Sequence, residues 1–283
     1  MKILVTGVKG QLGFDVHSLL SSKGHETYGI DIDTLDITDK NQVSEYFCNN
    51  YFDCIVHCCA YTAVDKAETE SELCMLTNTQ GTYNLAEQIT GKGTKFVYIS
   101  TDYVFSGKKA GIYETEDECS PINVYGKSKL GGEKVTQDLL SRFFIIRTSW
   151  VFGLNGNNFV KTMLHLGQNQ DSLNIVGDQI GSPSYTKDLA VLVESIIQTE
   201  HYGIYHATNE GFCSWADFAR EIFALAGLNT TVMPIASSEY PTPAKRPLNS
   251  RLSKEKLTKN GFNGMPSWQN ALSRFLQEFQ QRP

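Results

Sequence analysis

A tyrosine and a lysine stand four residues apart in Tyr125-Gly126-Lys127-Ser128-Lys129, a spacing that sets them on one face of a helix. A phenol titrates near ~10 and parts with its proton reluctantly at neutral pH. A fixed ammonium nearby favours the phenolate and lowers that value. Such a pair suits proton donation to a carbonyl oxygen while a nicotinamide delivers hydride to the carbon. The spacing also arises by chance, so the neighbours decide. Ser100-Thr101 closes an apolar run, where the Thr101 hydroxyl can hydrogen-bond the same oxygen. Gly7-Val8-Lys9-Gly10-Gln11-Leu12-Gly13 follows the run Ile3-Leu4-Val5-Thr6. Glycines there let the backbone turn tightly against a pyrophosphate, and the helix that follows offers its free N–H groups to the phosphates. Phosphate loop, hydroxyl and Tyr/Lys pair fall in the order a single site requires. Asp31, after the second apolar run, stands where a carboxylate meets a ribose 2′-hydroxyl and favours NADH. The plain alternative is a solvated turn. Lys9 can serve a 2′-phosphate, so NADPH fits as well.

These residues need a frame. Strands are expected at Lys2–Thr6, Thr27–Ile30, Cys54–Cys58, Phe96–Ser100 and Phe143–Arg147, with helical patterns over Gln11–Ser21, Asn41–Cys48 and Thr77–Thr90. Apolar strands alternating with helices imply a parallel sheet covered on both faces, and right-handed crossovers make it doubly wound. Ser120-Pro121 reads as the start of the helix that carries Tyr125. Beyond Trp150 loops lengthen, and helices at Ser214–Ala226 and Ser267–Gln281 are set apart by proline-containing connections. The expected fold is α/β, a Rossmann-type doubly wound parallel sheet with a smaller C-terminal substrate-binding lobe. Residues 1–150 form the dinucleotide-binding domain and 151–283 mainly the second lobe, some segments returning to the sheet.

A net charge of −6 offers no general basic surface for nucleic acid or anionic lipid. No apolar run approaches the ~18–20 residues of a membrane helix. The N-terminus enters a strand directly, so no signal peptide is expected. Seven cysteines without a secretory signal suit a reducing cytoplasm. Cys54-Ile55-Val56-His57-Cys58-Cys59 reads as a buried strand rather than a zinc site, and no metal is expected.

Taken together, the segments Thr6-Gly7…Gly10-Gln11-Leu12-Gly13, Ala60-Tyr61-Thr62-Ala63-Val64-Asp65-Lys66-Ala67-Glu68, Ser100-Thr101-Asp102-Tyr103-Val104-Phe105, Tyr125-Gly126-Lys127-Ser128-Lys129, Arg147-Thr148-Ser149-Trp150-Val151-Phe152-Gly153 and Lys245-Arg246-Pro247-Leu248-Asn249-Ser250 resemble the extended short-chain dehydrogenase/reductases, and within them the dTDP-4-dehydrorhamnose reductases. Leu35-Asp36-Ile37-Thr38 and Asp178-Gln179-Ile180-Gly181-Ser182-Pro183 extend the likeness over nearly the whole chain.

The resemblance implies a cytoplasmic enzyme that makes dTDP-L-rhamnose for a cell-wall polysaccharide, taking a dTDP-sugar and acting as a monomer or homodimer. It implies Thr101, Tyr125 and Lys129 as the catalytic set. Gly7, Gly10, Gln11, Leu12, Gly13, Asp31, Asp36, Ile37, Cys59, Ala60, Thr62, Tyr125 and Lys129 would hold NADPH or NADH. Val64, Thr101, Asp102, Tyr125, Trp150 and Arg246 would face the substrate, Trp150 as an apolar plate against the deoxysugar and Arg246 as a fork near the diphosphate.

The chain departs from the family pattern in three places: Cys58-Cys59 replaces small alanines, Ser184-Tyr185 stands where threonine is usual, and Gly131 replaces a glutamate, which should weaken its helix slightly. A 4,6-dehydratase would resemble Thr-Asp-Glu where Tyr103 stands, and an epimerase would carry a Ser/Ala-rich segment there. A non-catalytic regulatory subunit on the same fold would be expected to lose the tyrosine, lysine or hydroxyl, and all three are present.

Overall fold

The computed structural model describes residues 1–281; residues 282 and 283, the end of the expected second lobe, lie outside them. Six strands form the central sheet: β1 (Lys2–Thr6), β2 (Glu26–Ile30), β3 (Cys54–His57), β4 (Lys95–Thr101), β5 (Phe143–Thr148) and β6 (Gly203–His206). They run parallel in the order β2-β1-β3-β4-β5-β6. The order reverses beside β1, and the carboxyl ends at such a switch point open the crevice where ligands sit. The first five strands lie where the apolar runs predict, within a residue at each end.

Both faces of the sheet are buried, and the period-two alternation of strand side chains sorts them. Ile3, Val5, Val56, Val97 and Ile146 pack against Val16 and Leu20 of helix α1 (Gln11–Ser22). Leu4, Ile55, Phe96 and Ile145 face the other way, against Val43 and Phe47 of α2 (Lys40–Cys48) and Leu85 and Ile89 of α3 (Gly81–Ile89). The predicted helix Thr77–Thr90 is interrupted: a π-helical turn, Leu76–Gln80, precedes α3. Helix α4 (Val124–Leu139) begins later than Ser120-Pro121 suggests. Asn123 caps it, its side-chain oxygen accepting from Gly126 N–H (2.7 Å) while its amide donates to Lys245 O (2.8 Å). A side chain that satisfies a first-turn N–H outweighs a proline as a start signal.

Past Trp150 the chain builds a second core of Phe152, Tyr185, Phe218, Phe223, Trp268 and Phe275. It is carried by α5 (Phe159–Gly167), α7 (Trp215–Ala226) and α8 (Trp268–Gln280) with three two-stranded ribbons. Between them α6 (Thr186–Ile197) returns to pack on α1, and β6 joins the sheet edge beside β5. Ser214 is the cap of α7 rather than its first residue, forming a capping box with Asp217.

Candidate active site

The phosphate loop is held by its own backbone. Gly7 has φ +71°, its N–H reaches Ile30 O (2.8 Å), and Gly10 N–H reaches Gly7 O (3.0 Å). A Cβ on Gly13 would lie 2.7 Å from the carbonyl carbon of Gly7, so only glycine lets α1 start this close to the turn. Gly10 caps α1 without a side-chain hydrogen bond, and the loop and the first turn, Gln11-Leu12-Gly13, offer their backbone to an anion. Gly7, Asp31, Asp36, Ile37 and Cys59 line one cleft together with Leu35 and Thr77. Ala60 and Thr62 follow Cys59 on the loop that leaves β3, and Asn78 of the π-turn pins that loop. Asn78 accepts from Tyr61 N–H (2.7 Å) and donates to Tyr61 O (3.0 Å) and to the Ser128 hydroxyl on α4 (2.8 Å).

Just past β2, the Asp31 carboxylate accepts from the N–H groups of Lys9 and Ile32, both at 2.9 Å. Lys9, which from sequence can serve a 2′-phosphate, pairs its exposed ammonium with Asp33 (2.7 Å). Beneath the loop, Thr82 donates to Asn78 O, so His57 Nε2 must donate to the Thr82 hydroxyl, and His57 Nδ1 accepts from Thr6. Burial holds this histidine neutral, its pKa lowered to about 3.

Thr101 ends β4, with Tyr125 and Lys129 on α4 beside it. Thr101 pairs in register with Thr148. Its hydroxyl donates to Asp102 (3.0 Å), accepts from Tyr103 N–H (3.2 Å) and acts on the Tyr125 phenol. Tyr103 packs edge-on against Tyr125 (5.7 Å, 76°). Lys129 is 2% exposed and lies 4.1 Å from the centroid of the Tyr98 ring. Burial lowers its pKa to about 8, and the Glu133 carboxylate opposes that fall. The Tyr125 phenol is pushed well up by burial, with the Thr101 hydroxyl drawing it back. Sequence predicts that Lys129 draws the phenol down. In the structure Lys129 is not among the groups acting most strongly on it, because the ammonium sits over Tyr98. Asp102, buried against Ser250 and Thr101, is raised to about 6 by desolvation.

Close packing holds α4 against the sheet. A Cβ on Gly126 would meet Tyr103 and Pro121, one on Gly131 would meet Thr79, and one on Gly132 would meet Tyr98 and Asn78. Gly131 is therefore a contact requirement, not the slight weakening of the helix that propensity suggests.

Val64 opens a short helix, Val64–Ala67. Its Asp65 grips Arg246 with two hydrogen bonds (3.0 and 2.7 Å), and Arg246 also interacts with the Tyr103 hydroxyl. Arg246 is thus a half-buried member of a network rather than a free surface charge. Trp150 has φ +49°, the sole non-glycine with positive φ among the described residues. One face of its indole stacks on Trp215 (3.6 Å, 12°). A Cβ on Gly181 would lie nearest Cε2, with Cζ2 and Nε1 slightly farther, which places Gly181 over the other face. Here Trp150 presents an edge, not the open plate that sequence suggests. Tyr185 is fully buried in the second core and stacks on Phe152 (5.3 Å), so the departure at Ser184-Tyr185 is one of packing. Among the described residues no three His, Cys, Asp or Glu side chains are grouped to hold a metal ion.

Sequence reasoning passed over Asn78, Glu133, Trp215 and Ser250. Glu133 was within reach of it, four residues past Lys129 on the same helical face.

A parallel sheet with its phosphate loop at the switch point, a strand-end threonine and a helical Tyr/Lys pair define a short-chain dehydrogenase/reductase of the extended kind. The family model described as RmlD substrate binding domain matches residues 1–281, and the chain belongs to this family, that of the dTDP-4-dehydrorhamnose reductases. It is 43% identical over 285 residues to the dTDP-4-dehydrorhamnose reductase of Aggregatibacter actinomycetemcomitans, covering 96% of this chain and 97% of that one. It is 40% identical to the spore coat polysaccharide biosynthesis protein SpsK of Bacillus subtilis, covering 98% and 97%. The dTDP-4-dehydrorhamnose reductase of Bacillus anthracis, solved in complex with NADP, superposes with a TM-score of 0.95 at 42% identity, covering 98% and 99%.

Proposed function

We propose that this protein reduces the C4 keto group of dTDP-4-dehydro-L-rhamnose with NADPH or NADH, giving dTDP-L-rhamnose. The observation that carries the reading is the convergence of Thr101, Tyr125 and Lys129 at the strand ends, beside a glycine cradle. The cofactor fits that cradle: the space at Gly7 and Gly13 is closed to any Cβ, and α1 begins without a side-chain cap. The nicotinamide, when bound, supplies the hydride. Gly7, Gly10, Gln11, Leu12 and Gly13 would face its diphosphate, Asp31 its ribose, and Asp36, Ile37, Cys59, Ala60 and Thr62 the remainder of the cleft. Tyr125 gives its hydroxyl proton to the carbonyl oxygen, the Thr101 hydroxyl turns its own proton from Asp102 to that oxygen, and Lys129, four residues along the same helix, would supply positive charge. Ketone, hydride and proton together give the secondary alcohol.

We assign the substrate to Val64, Asp102, Trp150 and Arg246, on the side of the cleft where the second lobe begins. Residues 1–150 would hold mainly the cofactor and the later lobe mainly the sugar nucleotide. A cytoplasmic enzyme suits this chemistry. All seven cysteines are free thiols, and among the described residues no helix is long and apolar enough to cross a membrane. Tyr103, where a dehydratase would need a carboxylate, packs on Tyr125 and favours simple reduction.

The test is loss of reduced-nicotinamide absorbance with dTDP-4-dehydro-L-rhamnose and each cofactor. Tyr125→Phe should lower kcat about 10²- to 10⁴-fold with cofactor affinity unchanged. Cofactor binding without turnover by the wild type would instead favour a different keto-sugar or a regulatory subunit.

A further inference from the structure

Glu133 and Arg147 form an ion pair buried under the site, 0% and 3% exposed, with N–O distances of 2.9 and 2.7 Å. Further hydrogen bonds hold both members of the pair. The Ser100 hydroxyl donates to the same Glu133 oxygen at 2.5 Å. Arg147 also donates to Thr115 O (3.1 Å) and Cys119 Sγ (3.2 Å), and its guanidinium lies 5.1 Å from the Phe105 ring centroid. Stability does not explain such a group, since a buried ion pair is commonly matched or bettered by apolar side chains of the same volume.

Its placement is specific. Tyr125, Lys129 and Glu133 follow one another at intervals of four on α4, which sets them on one stripe. Ser100 and Arg147 are cross-strand partners on β4 and β5, and both grip Glu133. The residue after Ser100 is Thr101.

We propose that Glu133 is a positioning residue for the reduction: clamped by Ser100 and Arg147, it fixes the stripe bearing Tyr125 and Lys129 against the strand end bearing Thr101. The inference rests on the reductase reading. The groups facing Lys129 are Glu133 on its own helix, Cys58 and Cys59 after β3, Cys74 of the short helix Ser71–Met75, His57 on β3 and the Tyr98 ring on β4. Glu133 is the carboxylate among them.

The experiment compares wild type with Glu133→Gln/Arg147→Met, which removes both charges and leaves neither buried alone. Melting, the Kd for NADPH and the pH profile of kcat are measured for each. The double variant should fold and bind NADPH with wild-type affinity. Its kcat should fall at least about tenfold from misplacement, and the alkaline limb of its profile should move roughly one pH unit lower as Lys129 loses its counter-charge. A folded double variant with wild-type kcat and an unmoved profile overturns the proposal. If the double variant does not fold, Ser100→Ala decides: kcat falls at constant Kd if the clamp positions Thr101, and an unchanged kcat overturns it. A wild type that binds NADPH but reduces no keto-sugar overturns the reductase reading and this inference with it.

Discussion

Replacing Gly132 by alanine sets two effects against each other in the interior of α4. Helix propensity favours alanine by about 1 kcal/mol. Packing opposes it. The new Cβ would lie 2.6 Å from Tyr98 Cζ and 2.7 Å from Asn78 O, and closer still to the Tyr98 hydroxyl, where non-bonded heavy atoms prefer about 3.5–4.0 Å. Relief needs a movement of about 1 Å, and neither neighbour can yield cheaply. Tyr98 is fully buried, with the Lys129 ammonium 4.1 Å and the His57 ring 5.7 Å from its centroid. The Asn78 carbonyl belongs to the π-turn backbone and already accepts from Thr82. Overpacking of this kind costs about 3 kcal/mol or more, which outweighs propensity and leaves a net loss of about 2 kcal/mol. For a chain of this size Tm should fall by about 5 °C. Because the Lys129 carbonyl accepts from the Tyr98 hydroxyl (3.2 Å), kcat should fall as well. Thermal melts and steady-state kinetics of Gly132→Ala, Tyr98→Phe and the double variant test this, since Tyr98→Phe removes the closest atom and should recover part of the loss in the double. An alanine variant as stable and as active as wild type would refute the reasoning.

Two further outcomes follow from the site. Burial raises the folded-state pKa of Asp102 from 3.8 to about 6, so its contribution to stability is complete below pH 4 and is lost as pH rises through 6. Asp102→Asn should therefore gain about 3 kcal/mol relative to wild type between pH 4 and pH 7, and denaturant unfolding curves that stay parallel across that range would contradict the assignment. Trp215→Ala exposes one face of Trp150 and removes a stack worth about 1 kcal/mol. Tryptophan emission should shift to the red and the KM for the sugar nucleotide should change several-fold while the Kd for NADPH holds; a KM left unmoved would place the pair outside the substrate path.

The parts of the fold legible in the sequence are those where local pattern and tertiary role agree. β1, β3 and β5 are continuous apolar runs because both their faces are covered, and the phosphate loop declares itself through its glycines, of which Gly7 and Gly13 leave no room for a Cβ. β6 was not legible. Gly203–His206 is four residues long, two of them only half-buried, and its strand character comes from the waiting edge of β5. The break in the predicted helix Thr77–Thr90 was hidden for a similar reason: the π-turn serves Asn78, whose partners Tyr61 and Ser128 lie far away in sequence. At the site, Tyr125, Lys129 and Thr101 announce themselves by type and spacing. Their electrical settings do not, because these depend on depth and on which ring the ammonium rests against. The stacking of Trp150 on Trp215 joins segments with no shared pattern at all.

The place of β6 also governs how the chain can be made. Until Gly203–His206 has been synthesised, β5 has no partner on its outer side, and its sequence Phe-Phe-Ile-Ile-Arg-Thr presents unpaired backbone amides flanked by bulky apolar groups. A polypeptide cut after residue 150 would hold the whole phosphate loop and the Tyr/Lys pair, yet expose a sticky sheet edge of the kind that seeds aggregation. The growing protein must therefore carry that open edge through the emergence of the helices between the two strands, and a chaperone that shields nascent strands would be of most use in this interval.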